Sequence, residues 1–192
     1  EAVSRYGVRL QGQVRQLIER VEQILAFAPM DRRKSTYRIS PTDIRAVNED
    51  AVRNTQALAK EAGVTVNIEM PNTLPTVLTD STAMSLVLQN LITNGVKYGG
   101  SARQIFIRTA LARAGNRRPE VQVAVEDHGI GIDSEEMKQI FEPFYRSPKV
   151  VQDQIRGTGL GLTFARKTVE AVGGSISVTS NYGKGSTFVL HL

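Results

Sequence analysis

Two asparagines stand one helical turn apart in the segment SLVLQNLITNGVKYGG, and a lysine and a tyrosine follow them. With spacings of four, three and one residues, four side chains would share one stripe of a helix: Asn90, Asn94, Lys97 and Tyr98. Asparagine in mid-helix costs stability unless it binds something, because its amide competes for backbone hydrogen bonds. Amide oxygens can ligate a hard cation such as Mg²⁺, and a lysine can contact phosphate. The stripe predicts a site for a metal-bound phosphate; the alternative is a polar helix face in contact with solvent.

A second polar group ends the apolar strand pattern of VAVEDHGIGID. The strand delivers Glu126 and Asp127, and a carboxylate there can accept a hydrogen bond from an exocyclic amine, which would distinguish adenine from guanine. Gly129 and Gly131 would let the backbone pass close to a flat ligand. The alternative is an acidic turn that contains glycines for its shape alone.

A third segment, GTGLGL, runs into the helical pattern TFARKTVEAVGG. Its first five residues are Gly157, Thr158, Gly159, Leu160 and Gly161. Glycine permits close backbone approach, and the start of a helix offers unpaired N–H groups and the positive end of the helix dipole. Together these features predict a cradle for an anion such as phosphate, and a strand-to-helix turn that needs glycine for shape is the alternative.

The elements that would position these segments alternate along the chain. Helices are predicted from Thr42, as N-cap, to Glu61 with Gly63 as the stop, from Ser81 to Tyr98, in EEMKQIF, and after GTGLGL. Strands are predicted in YRIS, VTVNIEM, QIFIRTALA and EVQVAVED, and SISVTS pairs with STFVLHL across NYGKG as a hairpin. The segment EPFYRSPKVVQDQIR is predicted to be irregular. Because the chain closes on antiparallel strands, we expect an α+β fold in which helices cover one face of a mixed sheet.

The first 29 residues follow a different pattern. Apolar positions recur in alternating steps of four and three: Val3, Gly7, Leu10, Val14, Leu17, Val21, Ile24 and Ala28. Such a heptad seam is typical of a bundle or coiled-coil helix, and a long helix lying on its own domain is the alternative. No second seam occurs in the chain, so the sequence predicts self-association as a dimer through residues 3–28.

Composition narrows the classes of function. The chain has 192 residues and a net charge of +5. It has no cysteine, which excludes disulfides and thiolate metal sites. Its basic clusters lack interleaved aromatic residues, so nucleic-acid binding is not expected. No apolar run has membrane-spanning length and no signal-peptide block opens the chain, so we expect a soluble, cytoplasmic piece of a longer protein.

The order of the motifs resembles the ATP-binding domain of bacterial sensor histidine kinases. That domain belongs to the GHKL superfamily, with type II topoisomerases, mismatch-repair ATPases and a heat-shock chaperone. QNLITNGVKYG resembles the N box, DHGIGI the G1 box, IFEPFYRS the F box and GTGLGL the G2 box, in family order. The resemblance implies a two-layer α/β sandwich of the GHKL type in residues 37–192. It also implies a partial dimerisation helix in residues 1–29 and a connector in residues 30–36.

The resemblance also implies a role for each site residue. Asn94 would ligate Mg²⁺ with help from Asn90, Lys97 would touch phosphate, Tyr98 would pack by the adenine, and Asp127 would bind its amino group.

Further roles follow for the glycines and the F box. Gly129 and Gly131 would shape the adenine pocket, and Phe141 and Phe144 would hinge a lid over residues 143–156. The GTGLGL residues would close over the phosphates of ATP.

Asn90 separates the branches of the superfamily. Members that hydrolyse ATP have a glutamate base at this position, and an amide cannot accept a proton near neutral pH. The chain is therefore predicted to hold Mg-ATP for an incoming nucleophile, which in the family is a histidine on the first helix of a hairpin. The N-terminal helix resembles the second helix, so we expect a histidine kinase fragment that lacks its acceptor and serves a response regulator. The alternatives are a degenerate nucleotide-binding signalling module and a GHKL-type serine kinase of a regulatory protein.

Three further positions depart from the family pattern or fall outside it. His128 is interpreted as a substitution at the pocket edge, and His191 as a residue of the sheet. Gly95 stands where the family usually has alanine, and a glycine at this position would weaken the helix by up to about 1 kcal/mol.

Overall fold

The sequence folds into a mixed sheet under a layer of helices, in a computed structural model that describes residues 37–112, 119–152, 155 and 157–192. The helices are α1 (Ile44–Glu61), α2 (Ser81–Tyr98), α3 (Pro148–Gln152) and α4 (Gly161–Ala171). The strands are β1 (Ser40–Thr42), β2 (Thr65–Glu69), β3 (Val77–Thr79), β4 (Gln104–Ala112), β5 (Glu120–Asp127), β6 (Ser175–Asn181) and β7 (Gly185–His191). The predicted seam helix, the connector and part of the predicted lid lie outside the described residues, and their limits stay predictions.

Five strands form the main sheet in the order β2-β4-β5-β7-β6. β2 and β4 run parallel, and every other neighbouring pair is antiparallel. β1 and β3 form a separate antiparallel pair. The predicted mixed sheet and the closing hairpin across NYGKG are therefore confirmed.

The helices pack on one face of this sheet. α1 contacts β2, α2 contacts β4 and β5, and α4 contacts β6, while α2 lies between the other two long helices. Along β5 the residues that face the helices are buried: Val121, Val123 and Val125. Asp127 continues this period of two, so its carboxylate points into the helix layer rather than into solvent.

Helix α2 has the two faces that its sequence predicts. Met84, Leu88 and Leu91 are at most 1% exposed and fill the core, whereas the adjoining stripe with Asn90 and Asn94 is half-buried. Because the apolar face fixes the rotation of the helix, it also fixes the direction in which the asparagines point.

Two predictions at the start of the described residues are wrong. Helix α1 begins after Asp43, whose carboxylate accepts a hydrogen bond from the N–H of Arg45 at 2.9 Å. Thr42, the predicted N-cap, instead ends β1, and its hydroxyl donates to the carbonyl of Thr79 at 3.1 Å. The predicted strand in YRIS is also displaced, since β1 covers only residues 40–42.

The predicted helix in EEMKQIF is a series of turns. The N–H of Glu136 donates to Asp133 O at 3.0 Å and the N–H of Gln139 to Glu136 O at 2.8 Å, both across three residues, as in a tight turn. The chain thereby returns Phe141 to the core, where it is 8% exposed. A short helix, α3, lies instead in the segment predicted to be irregular, with Pro148 in its first turn.

No helix within the described ranges is both long enough and apolar enough to cross a bilayer.

Asp80 caps helix α2, and its carboxylate gives the fold a pH dependence. Its Oδ1 accepts the N–H of Ala83 at 2.9 Å and its Oδ2 the N–H of Arg38 at 2.8 Å. Burial acts to raise the pKa of Asp80, but the hydrogen bonds from the N–H groups of Ala83, Arg38 and Thr82 outweigh it, so the pKa lies below its ordinary 3.8. The stability that this carboxylate contributes is present above pH 3.8 and is lost as the pH falls through the lower folded-state pKa.

We expect Asp80→Asn to lower the free energy of unfolding at pH 7 by about 1 kcal/mol, because an amide cannot accept both N–H groups. Urea unfolding from pH 7 to pH 2 should show this difference shrinking below pH 3.8. The exposed Asp50, paired with Arg53, offers a control, since Asp50→Asn should change stability little at any pH. A difference that stays constant down to pH 2 would contradict the assignment.

Candidate nucleotide-binding site

The polar stripe of α2 faces the start of α4. Asn90 donates from Nδ2 to the carbonyl of Leu86 at 3.0 Å, four residues back along the helix. Its Oδ1 points towards Gly161, because a methyl group added there would lie 3.1 Å from this oxygen. The first glycine of α4 therefore lies over the stripe, and the fold brings the first and third polar segments of the sequence together.

The C-terminal end of α2 holds the turn after β5. The carbonyl of Tyr98 accepts the N–H of Ile130 at 3.0 Å. Gly129 lies so close to this carbonyl that any β-carbon would overlap its oxygen. Only glycine fits here, for the reason of close backbone approach that the sequence suggests.

Asp127 lies at the bottom of this turn and is 9% exposed. Its Oδ1 accepts the N–H of Gly129 at 2.9 Å, which fixes the carboxylate. Burial raises the pKa of Asp127 above its ordinary 3.8; the N–H groups of Gly129 and Ser186 and the charge of His128 oppose the rise, and Glu126 adds to it. In its ionised form the group is a fixed acceptor beside the end of α2, as recognition of an exocyclic amine requires.

The same turn is held from its other side by the β6–β7 hairpin. The N–H of Gly183 donates to the carbonyl of Ile130 at 2.7 Å, and the N–H of Ile132 donates to the hydroxyl of Ser180 at 2.8 Å. Gly131 has a positive φ of 65° and packs directly on the Asn181 carbonyl. The turn is thus held between the helix end and the hairpin.

The two F-box phenylalanines lie in different environments. Phe141 is buried under the guanidinium of Arg166, 5.2 Å from the ring centroid, whereas Phe144 is 67% exposed. Phe144 has a φ of 63°, rare for a bulky residue, and its N–H donates to the carbonyl of Gly159 at 3.0 Å. A backbone hydrogen bond therefore joins the F box to the GTGLGL segment. The hinge role of Phe141 and Phe144 stays a prediction.

The GTGLGL segment meets both ends of the polar stripe. A methyl group on Gly157 would lie 3.5 Å from the hydroxyl of Tyr98, so this glycine is next to the phenol. Leu160 is 2% exposed and anchors the segment, and its N–H donates to the hydroxyl of Thr158 at 3.3 Å. Leu160 provides no side-chain cap for α4, which leaves the first-turn N–H groups suited to an anion.

Arg146 belongs to the site, and the sequence reasoning missed it. Burial raises the pKa of the Tyr98 phenol, and the positive charge of Arg146 opposes that rise, which places the guanidinium near the hydroxyl. Its Nη2 donates to the carbonyl of Ile155, and its buried Nε has no hydrogen-bond partner. The available signal was a basic residue inside the IFEPFYRS motif, between the aromatic residues and the glycine-rich segment.

The donor set limits how a metal ion could be held. Among the described residues no group of three or more histidine or acidic side chains is placed to hold one. A cation at the stripe would have to be bound by amide oxygen, by ligand oxygen and by water, which suits Mg²⁺. Asn94 lies half-buried one turn beyond Asn90, while Lys97 is exposed at the end of α2. The metal and phosphate roles of these residues remain predictions.

The two histidines lie outside this stripe. His191 Nε2 is 2.8 Å from Ser177 Oγ, and its Nδ1 is 3.0 Å from Glu120 Oε1, which confirms it as a residue of the sheet. His128 is exposed beside the Asp127 turn, with Nε2 3.1 Å from Glu126 Oε1. Its interpretation as a pocket-edge residue stays a prediction.

The contact between Gly129 and Tyr98 can be tested with two matched glycines. We expect Gly129→Ala to break the bond between Ile130 and Tyr98, because a methyl group has no room there, and to cost about 3 kcal/mol of stability. Gly157→Ala meets only a hydroxyl at 3.5 Å and should leave the fold intact. Thermal unfolding and hydrogen exchange at the Ile130 amide would measure both, and equal protection in the two variants would refute the contact.

Comparison with known proteins agrees with this geometry. Residues 79–192 match the family described as histidine kinase-, DNA gyrase B- and HSP90-like ATPase. The aerobic respiration control sensor protein ArcB of Escherichia coli is 34% identical over 173 residues, covering 87% of this chain and 21% of ArcB. The phytochrome-like protein Cph1 of Synechocystis is 32% identical over 169 residues, covering 88% of this chain and 21% of Cph1.

A solved structure agrees as well. The crystal structure of full-length ShkA in complex with AMPPNP superimposes with a TM-score of 0.77 at 26% identity, covering 97% of this chain and 37% of ShkA. The chain thus spans about a fifth of the first two relatives and under two fifths of ShkA. Since the matched residues 79–192 make up more than half of the chain and include the asparagine stripe, the Asp127 turn and the GTGLGL segment, the chain belongs to the histidine kinase-, DNA gyrase B- and HSP90-like ATPase family, as an ATP-binding catalytic domain of the sensor histidine kinase type.

Proposed function

We propose that this chain is the part of a two-component sensor kinase that positions Mg-ATP for transfer of the γ-phosphate to a histidine on a helical hairpin. The observation that carries the proposal is the convergence at Tyr98. Its carbonyl holds the Asp127 turn, its hydroxyl lies beside Gly157, and its helix carries the asparagine stripe. These contacts place the carboxylate acceptor of Asp127, the amide oxygens of the stripe and the N-terminus of α4 around one residue.

Each part of ATP has a matching group around Tyr98. The carboxylate of Asp127 would accept the adenine amino group, and Tyr98 would pack beside the ring. Asn94, with Asn90, would hold Mg²⁺, which neutralises charge on the phosphates when it is bound. Lys97 and the N–H groups at the start of α4 would contact the phosphate oxygens.

Arg146 would add a further positive charge to the phosphate end. Its guanidinium already lies near the Tyr98 hydroxyl, and its buried Nε has no partner among the described residues. A buried N–H without a partner costs free energy, so a ligand oxygen at this position would relieve that cost.

The structure of the stripe favours phosphoryl transfer over hydrolysis. Asn90 offers an amide whose Nδ2 already donates to Leu86 O, and an amide oxygen cannot take a proton from water near neutral pH. The site therefore provides positioning and charge neutralisation, which phosphoryl transfer mainly needs, and leaves the nucleophile to come from outside.

The acceptor would be a histidine elsewhere. His191 is engaged with Ser177 and Glu120, and His128 lies next to Glu126. Neither is followed by an acidic residue and a prolyl turn, as the acceptor histidine is in the family that the chain resembles. The proposed partners are the hairpin helix with the acceptor histidine, a second copy through residues 3–28, and a response regulator that receives the phosphate.

Because ATP is the proposed substrate, the domain would work in the cytoplasm, whether or not the whole protein is anchored to a membrane.

The transfer can be tested with γ-labelled ATP, Mg²⁺ and a separately supplied histidine-bearing hairpin. We expect acid-labile label on the hairpin and none on this chain alone. Asn94→Ala should abolish the transfer, and Asp127→Asn should weaken ATP binding by about tenfold or more, since a hydrogen bond to a charged group is lost. Asp50→Asn, on an exposed turn of α1, is the control and should behave as the wild type.

Two results would overturn the proposal. Undiminished ATP affinity in both Asp127→Asn and Asn94→Ala would show that the pocket is misassigned. Acid-stable label on a serine of a partner protein would favour the serine kinase alternative.

A further inference from the structure

Gly95 packs against Ile105, and neither residue is among those predicted to contact the nucleotide. Gly95 is buried on α2, one residue after Asn94, and faces the sheet. A methyl group added to Gly95 would lie 2.8 Å from Cδ1 and 3.1 Å from Cγ1 of Ile105, and 3.7 Å from Cβ of Asp127. The end of the Ile105 side chain therefore occupies the space that a side chain at position 95 would need.

Ile105 is also the direct neighbour of Asp127 in the sheet. The two residues are paired across β4 and β5, and Ile105 is fully buried. Asp127 lies on the same helix-facing side, in phase with the buried Val125. Directly paired side chains on one face of an antiparallel sheet lie about 5 Å apart at Cβ, so each restricts the position of the other.

We infer that Gly95 and Ile105 form a size-matched pair that positions the carboxylate of Asp127 and thereby sets the preference of the site for a 6-amino purine. The gap left by the missing side chain of Gly95 holds the δ-methyl of Ile105, and Ile105 in turn supports Asp127. Both are positioning residues, since neither touches the nucleotide. The inference rests on the proposed role of Asp127 towards adenine.

A displacement at this pair would pass directly to the pocket. An alanine at position 95 would force the δ-methyl of Ile105 to move within a packed interior, while its own methyl would be in ordinary van der Waals contact with Cβ of Asp127 at 3.7 Å. Asp127 Oδ1 holds the N–H of Gly129 at 2.9 Å, and Gly129 packs on the Tyr98 carbonyl. A shift of the carboxylate would therefore change its distance to any purine held beside Tyr98.

Stability and selectivity should respond differently. Alanine is the better helix former, and the atom it displaces is the far end of a side chain, so Gly95→Ala should still fold. The variant should nevertheless recognise the amino group poorly, because hydrogen bonds weaken steeply when donor and acceptor are displaced. A change in selectivity without loss of folding is what separates a positioning role from a purely structural one.

The test compares the dissociation constants of Mg-ATP and of the triphosphate of purine riboside, which lacks the 6-amino group, by calorimetry. In the wild type we expect ATP to bind about tenfold tighter, as one hydrogen bond to a carboxylate would provide. Gly95→Ala should reduce this ratio to about two or less by weakening ATP alone. Gly95→Ala combined with Ile105→Val should restore it, because valine lacks the δ-methyl that collides.

Ile107→Val is the matched control, since Ile107 is equally buried on the same face of β4 but pairs with Val125. It should keep the wild-type ratio. An unchanged ratio in Gly95→Ala, an equal loss of affinity for both nucleotides, or a double variant that folds without restoring the ratio would overturn the inference. If Gly95→Ala alone fails to fold, Ile105→Ala decides by the same ratio: it removes the support of Asp127 and should lower the ratio to about two or less, and a wild-type ratio in this variant would overturn the inference.

The failure of the inference differs from that of the proposed function. A wild-type ratio near one would refute the role of Asp127 and the inference together. A tenfold wild-type ratio that Gly95→Ala leaves intact would refute the inference alone.

Discussion

The carbonyl of Tyr98 is the point on which the binding site depends. It belongs to the last turn of α2, where carbonyl groups have no partner inside the helix. Here it accepts the N–H of Ile130, from the turn after β5. The hydrogen bond that completes the end of the helix is thus also the one that places the Asp127 turn. Because a β-carbon at Gly129 would overlap this carbonyl, the contact exists only with glycine there, and the end of the helix and the Asp127 turn take up their positions together.

The site concentrates local features that cost stability. α2 carries asparagines at two mid-helix positions, and Asp127 keeps a carboxylate in a place where burial raises its pKa. Phe144 holds a left-handed backbone conformation at an exposed position. The free energy that offsets these costs comes from the adjoining apolar face of α2, where Met84 and Leu88 are at most 1% exposed. Such local conflicts gathered around one volume are typical of a functional site.

Periodicity explains why much of the fold could be predicted. The limits of α2 agree with the sequence because Asp80 supplies a cap and Gly99 and Gly100 end the apolar period. β4, β5 and the final hairpin follow a period of two along most of their length and agree as well. The failures depend on contacts between distant parts of the chain. Thr42 and Asp43 are equally good caps by type, and the choice between them is made by the pairing of β1 with β3, more than thirty residues away.

The sequence indicates candidate residues for the site but not the contacts between them. Spacing places Asn90 and Tyr98 on one stripe, yet nothing in the sequence says that Gly161 lies over one end of it and Gly157 over the other. Arg146 was missed because a basic residue in an irregular segment has no period to mark it. Gly95 was expected only to weaken the helix. In the structure the side chain of Ile105 occupies the space beside it, and the sequence does not indicate that β4 lies under this part of α2.

A backbone hydrogen bond joins Phe144 to Gly159, and the segment between these two residues carries Arg146 and Gly157. This hydrogen bond, from the N–H of Phe144 to the carbonyl of Gly159 at 3.0 Å, closes the base of the segment. The entropic cost of closing a loop grows only slowly with the number of its residues. The segment between Phe144 and Gly159 could therefore differ in length with little effect on the residues outside it. Outside this base, Phe141 stays in the core and Gly161 stays against Asn90. The contacts of Phe141 with the core and of Gly161 with Asn90 are therefore insensitive to the length of this segment, whereas the positions of Arg146 and Gly157 beside Tyr98 depend on its conformation.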